Sequence, residues 1–180
     1  MIILCIGHDR ACMIRLIFLF LMIIVLACLV GWYCFVSGST RTVMPRFSSV
    51  SFTRLSTCHI DLQVLFFDIV RNFDCTILEG YRNKVDQEKA FDSGHSKLHY
   101  PHGNHNKTPS NAVDVTPYPI DFGNDKLAIW FGAYVLGVAQ KLKDEGKMTH
   151  SIRWGGSWSG LGILNTPDML QDLDHFEIIE

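Results

Sequence analysis

Four residues of this chain carry side chains suited to one piece of chemistry. His105 and Asp114 stand in one segment, and Asp172 and His175 stand three residues apart near the C-terminus. Two imidazoles and a carboxylate, with a second carboxylate to move a proton, are what a catalytic zinc centre needs when one coordination position stays open. The remaining histidines divide by place. His95, His99 and His102 crowd the same loop as His105, while His59 and His150 read as ordinary surface or core histidines and His8 lies outside the domain. Spacing alone equally allows a solvated polar loop and an acidic terminus, because no short metal motif matches.

The elements that must position these side chains follow from periodicity. Alternation over Ala112–Thr116 predicts a strand, which puts Asp114 on one face with Ala112 and Thr116. A terminal strand over His175–Ile179 presents His175, with Asp172 just before it and Glu177 on the same face. Further strands are predicted at Cys75–Leu78 and Ile152–Trp154. Apolar steps of three and four predict helices over His59–Phe73, Lys84–Phe91 and from Asn124 or Asp125 to Lys143, the last closed by Gly146 in a left-handed cap. Residues 93–110 show no period, and an aperiodic stretch of that length inside a compact domain is usually functional or disordered. Helices and strands mix without strict alternation, so the predicted class is α+β, a small antiparallel sheet with packed helices.

The formal charge of −2 on 180 residues gives no basic field of the kind nucleic-acid binders carry. Leu16–Val36 contains no charged residue and as a helix would rise about 30 Å, the thickness of a hydrocarbon core. Trp32 and Tyr33 near its end fit an interfacial aromatic belt. A cleaved signal peptide needs a shorter apolar region, and Leu29-Val30-Gly31-Trp32 runs on past Ala27-Cys28. The expectation is therefore a single-pass signal anchor over residues 13–36, after an extension 1–12 for which Met13 is an alternative start. A short Ser/Thr/Arg linker at 37–50 and one domain at 51–180 follow. Arg10 and Arg15 before the span balance Arg41 and Arg46 after it, so the positive-inside rule does not orient it. Of six cysteines only Cys58 and Cys75 fall in the domain, as a disulfide or as two buried thiols.

Several segments together resemble the zinc peptidases that include D-alanyl-D-alanine carboxypeptidases and phage L-alanyl-D-glutamate endolysins, phage-type members above all. They are Gly80-Tyr81-Arg82, Gln87, Ser96-Lys97, Ala112-Val113-Asp114-Val115, Arg153-Trp154-Gly155-Gly156 with Trp158, and Asp172 to Glu177, spread over residues 50–180. The family pattern runs His, Gly-x-Ala-x-Asp, then carboxylate-x-x-His. Lys107 stands where the first His is common, Ser110 where the Gly is, and Asp174 where Pro often precedes the last His. A loop two residues longer accounts for the first two and leaves His102 as the alternative to His105.

The resemblance implies Zn²⁺ on His105, Asp114 and His175, with Asp172 as general base and Arg82 on the oxyanion or a substrate carboxylate. Ser96 and Ser110 are implied as substrate contacts or as steadying the His loop, and Trp154 and Trp158 as substrate-side cleft wall or core. The implied substrate is the stem peptide of bacterial peptidoglycan, cut at L-Ala-D-Glu. D-Ala-D-Ala carboxypeptidase activity and a non-catalytic wall-binding module on a membrane anchor are the alternatives. The implied location is membrane-anchored, the domain facing the periplasm or cell wall.

Overall fold

The computed structural model describes residues 10–36, 45–159, 164 and 172–179. The chain divides into two compact units, Met1–Val43 and Met44–Glu180. In the first, α1 spans Arg10–Val36. Among the described residues, no helix is long and apolar enough to cross a membrane. The expected transmembrane anchor, and the single-pass membrane location built on it, are corrected accordingly. Trp32 and Tyr33 lie outside the residues with described side chains, and 37–44 of the expected linker lie outside the described residues.

The second unit is α+β. After α2 (Ser49–Leu55) and α3 (Ile60–Ile69) come β1 (Cys75–Glu79), α4 (Lys84–Asp92), β2 (Ala112–Pro117), α5 (Asp125–Asp144), β3 (Ser151–Trp154) and β4 (His175–Ile179). The strands form an antiparallel sheet in the order β1-β2-β4-β3. Within the predicted linker, α2 begins at Ser48, whose hydroxyl accepts the Ser51 backbone N–H as an N-cap. Seven residues are too few for a 3.6-residue period to show.

Strand alternation gives the sheet two chemically different faces. Ile77, Val113, Val115, Ile152, Trp154 and Phe176 point to the core. Phe66 of α3 and Phe131 of α5 meet Phe176 edge-on at 5.6 and 6.1 Å, closing that core face. Gly132 of α5 lets the Trp154 indole lie against the helix; a Cβ there would fall 2.3 Å from the ring. Gly146 takes the positive φ its predicted capping role requires. Cys58 and Cys75 are free thiols in this core, and burial pushes both up to about 12.

The other face carries Asp114 on β2, His175 and Glu177 on β4, and Arg153 on β3. Asp114 pairs across the sheet with His175, and Glu177 with Arg153. One irregularity adds to this face. Between Ile77 and Glu79 the β1–β2 register slips by one residue, so that Glu79 lies opposite Asp114. Regular alternation would send Glu79 to the core beside Ile77, but the bulge turns it to the polar face.

Candidate metal centre

Asp114 and His175 are brought together by the β2–β4 register. His105 comes from a single 3-10 turn, Asn104–Asn106, inside the loop without periodicity. The turn is fixed from several sides. Arg82 N–H donates to the His105 carbonyl at 2.9 Å, and Asn111 N–H to that of Asn104 at 3.0 Å. The Asn106 amide donates to the Arg82 carbonyl at 2.9 Å and accepts from Gly103 N–H at 3.0 Å.

The three side chains converge to a near-equilateral triangle. His105 Nε2 is 3.1 Å from Asp114 Oδ1, His175 Nδ1 is 3.0 Å from the same oxygen, and the two nitrogens are 3.2 Å apart. A tetrahedral zinc with bonds of about 2.0–2.1 Å has ligand-to-ligand edges of about 3.3 Å, so this spacing fits the ion. The outer ring nitrogens settle the tautomers. His105 Nδ1 donates to the Gly80 carbonyl at 2.7 Å, and His175 Nε2 to Glu177 Oε2 at 3.2 Å. Both inner nitrogens then aim lone pairs at each other and at a carboxylate oxygen, which is repulsive without a cation between them.

The electrostatics agree. Burial alone would make His175 less basic, but hydrogen bonds to Asp114 and Glu177 and the nearby carboxylate charges push it up to about 10. Burial would likewise raise Asp114, yet His105 and His175 hold it well below the usual carboxylate range. Glu177 is lowered to about 2: burial opposes this, but His175, the Asn104 amide at 2.6 Å and the Arg153 guanidinium outweigh it. The donor chemistry and spacing of the group suit a divalent metal.

Arg82 stands over the triangle. Its Nη2 is 2.5 Å from Glu79 Oε2 and 3.5 Å from Asp114 Oδ2. The bulge in β1 thus supplies the carboxylate that aims this guanidinium. Asp172 and Asp174 also border the site. Burial first, then the charge of Asp114, a hydrogen bond with Asp172 and the charge of Asp172, push Asp174 up to about 7.

The triangle opens on a cleft of about 820 Å³. Ser96, His102, Trp158 and Asp172 line it. The Trp158 ring packs 5.6 Å from His175, with the Arg153 guanidinium 5.5 Å over it. His102 is in the wall but outside the triangle, which His105 completes. Ser110 and Trp154 sit elsewhere. Ser110 is fully buried and donates to the Ala112 carbonyl at 2.7 Å, which braces the turn into β2. Trp154 is core, its Nε1–H donated to the Leu173 carbonyl at 2.8 Å.

A second His-Asp-His group, His59, Asp61 and His150, is spent on hydrogen bonds. Asp61 Oδ2 accepts from Thr149 N and Oγ1 and from His150 N and Nδ1 at 2.7–3.1 Å. His59 Nδ1 accepts the Asp61 N–H at 3.2 Å, capping α3. It latches the segment before β3 to the start of α3.

Sequence reasoning passed over Glu79 and Asn104 as members of the site. Glu79 carries no signal of its own, because its orientation depends on a bulge that composition does not reveal. Asn104 owes its role to a three-residue turn.

No family model matches the sequence, and no curated protein matches it. The fold matches the crystal structure of the Serratia marcescens L-Ala D-Glu endopeptidase ChiX, with a TM-score of 0.55 and 20% sequence identity. The match covers 78% of this chain and 96% of that one. At that identity the likeness establishes the fold: the chain carries the α+β architecture of ChiX, with a His-Asp-His group that could hold a metal in a cleft on its polar sheet face.

Proposed function

We propose that the chain is a zinc-dependent peptidase acting on the stem peptides of bacterial peptidoglycan, at the L-Ala-D-Glu bond. The observation that carries this reading is the triangle of His105 Nε2, Asp114 Oδ1 and His175 Nδ1, with sides of 3.0–3.2 Å. Its situation in a cleft of a fold shared with an L-Ala D-Glu endopeptidase supports the choice of substrate.

His105, Asp114 and His175 would hold the ion, which supplies Lewis acidity to the scissile carbonyl and makes water a better nucleophile near neutral pH. Asp172 takes the proton from the attacking water and returns it to the leaving amine, which a carboxylate at the cleft edge can do in both directions. Asp174 is hydrogen-bonded to Asp172 and helps hold that carboxylate at the cleft edge. Arg82 offers its fork to the oxygen that gains charge as the carbonyl becomes tetrahedral. Glu79 keeps that fork from collapsing onto Asp114. Gly80 and Glu177 hold the two imidazoles in the tautomers that leave their inner lone pairs for the ion.

The test is digestion of purified peptidoglycan with added Zn²⁺ and with a chelator, read by mass analysis of the fragments. New L-Ala termini appearing only with metal are expected. Release of D-Ala alone would turn the reading to a carboxypeptidase, and intact peptide with bound wall material to a binding module.

A further inference from the structure

The cleft contains more cationic groups than the chemistry above uses. Both guanidiniums are committed to carboxylates, Arg82 to Glu79 and Asp114 and Arg153 to Glu177. Lys89 on α4 and Lys97 on the following loop line the same cleft, and neither ammonium has an ion-pair partner among the described residues. The cleft floor meanwhile gathers Asp114, Asp172, Asp174 and Glu177. Beyond the metal group itself, the cleft offers an acidic substrate group the unpaired ammonium charge of Lys89 and Lys97, on the α4 side.

That side is also built to stay in place. Gln87 is 1% exposed, a buried amide with no part in the metal group. Its Nε2 donates to Ser96 Oγ at 2.8 Å and to the Leu98 carbonyl at 2.6 Å, gripping the chain on both sides of Lys97. Its Oε1 accepts from the Asn106 amide at 3.1 Å, which ties this wall to the turn bearing His105. Ser96 N–H further donates to the Ala90 carbonyl at 3.0 Å. A lysine meant only to be solvated needs no such anchoring of its backbone; one that must meet a substrate group at a fixed distance from the reacting bond does.

We propose that Lys89 and Lys97 form a carboxylate-binding subsite on the wall pinned by Gln87, selecting peptides with an acidic group beside the scissile bond. The proposal rests on the peptidase reading for its substrate and is separable from it in the test. Binding is measured by calorimetry at low ionic strength on the zinc-loaded full chain. The probes are a ketomethylene isostere of L-Ala-D-Glu, which cannot be cleaved, and its counterpart with the acidic group amidated. Exposed charge pairs are worth roughly two- to fivefold each, so the wild type should prefer the carboxylate by about tenfold.

Lys89→Met/Lys97→Met should bring that preference to about one, and Lys97→Arg should retain most of it. The preference should also shrink as salt is added. A preference that persists in the double variant, or is missing from the wild type, overturns the subsite. Cleavage of the natural peptide is scored separately. A wild type that binds with the lysine-dependent preference but never cleaves would refute the peptidase and leave the subsite standing.

Discussion

Glu177 and His175 lie on the same strand face two residues apart, and Glu177 Oε2 sits 3.2 Å from His175 Nε2. The pair decides which imidazole nitrogen faces Asp114. Glu177 is itself held by Asn104 and Arg153, so the orientation of the ring is fixed from three elements. Glu177→Gln keeps the shape but cannot serve all three donors with one oxygen. Zinc affinity should fall about tenfold, as for other groups that orient a ligand imidazole. Competition with a chromophoric chelator measures it; unchanged affinity would remove Glu177 from the site's support.

Asp172→Asn should leave zinc content at wild-type level and lower turnover by about 100-fold or more, the effect of losing a general base. Elemental analysis and peptide cleavage on the same preparation separate the two quantities. Near-normal turnover would pass the role to Asp174, its hydrogen-bonded neighbour.

Asp61 predicts an acid-labile latch. Burial would raise its pKa, but four hydrogen bonds from Thr149 and His150 lower it from 3.8 to about 2. A carboxyl group lowered on folding contributes stability that is complete above its unfolded value and is lost as pH falls through the folded one. The window is therefore about pH 4 down to 2, and the contribution about 2 kcal/mol. Asp61→Asn should lower stability at pH 7 by about that amount and flatten the acid limb of the denaturation curve. A variant with an unaltered limb would place the acid sensitivity elsewhere.

Two glycines of α5 should respond oppositely to the same substitution. Gly132→Ala drives a methyl group to 2.3 Å from the Trp154 ring, whereas nothing lies within 4 Å of a Cβ at Gly137. Overpacking outweighs the gain in helix propensity at the first site, for a net loss of about 2 kcal/mol. At Gly137 only the propensity remains, and stability should rise by about 0.5–1 kcal/mol. Thermal melts of the two variants check the sign of each.

Segments with an apolar period, short strands included, were readable in the sequence; α2, the Asn104–Asn106 turn and the bulge in β1 were not. α5 and β4 appear at or within a residue or two of their predicted positions, because apolar spacing over many residues, or a strand bearing the chemistry, leaves a pattern. Asp114, His175 and His105 could be chosen by residue type, but only the β2–β4 register and the Asn104–Asn106 turn bring them to 3 Å. Ser110 was expected at substrate or steadying the His loop and Trp154 in the cleft wall or core; Ser110 braces the turn into β2 and Trp154 lies in the core. Polarity or an aromatic ring beside a motif does not say which side of the sheet a residue faces. The apolar run at 16–36 shows the converse: composition suggested a span, and the described residues contain no helix that qualifies.

The bulge in β1 has a consequence for comparing this chain with others. Up to Ile77, odd-numbered residues of the strand belong to the core; at Glu79 an odd-numbered residue belongs to the cleft. The parity of the strand is reversed by one extra residue. A homologue lacking the bulge must carry its arginine-aiming carboxylate one position earlier, and a gapless alignment would score that carboxylate as lost. Deleting Leu78 from this chain would remove the bulge and leave Glu79 directly after Ile77, still opposite Asp114 on the cleft face.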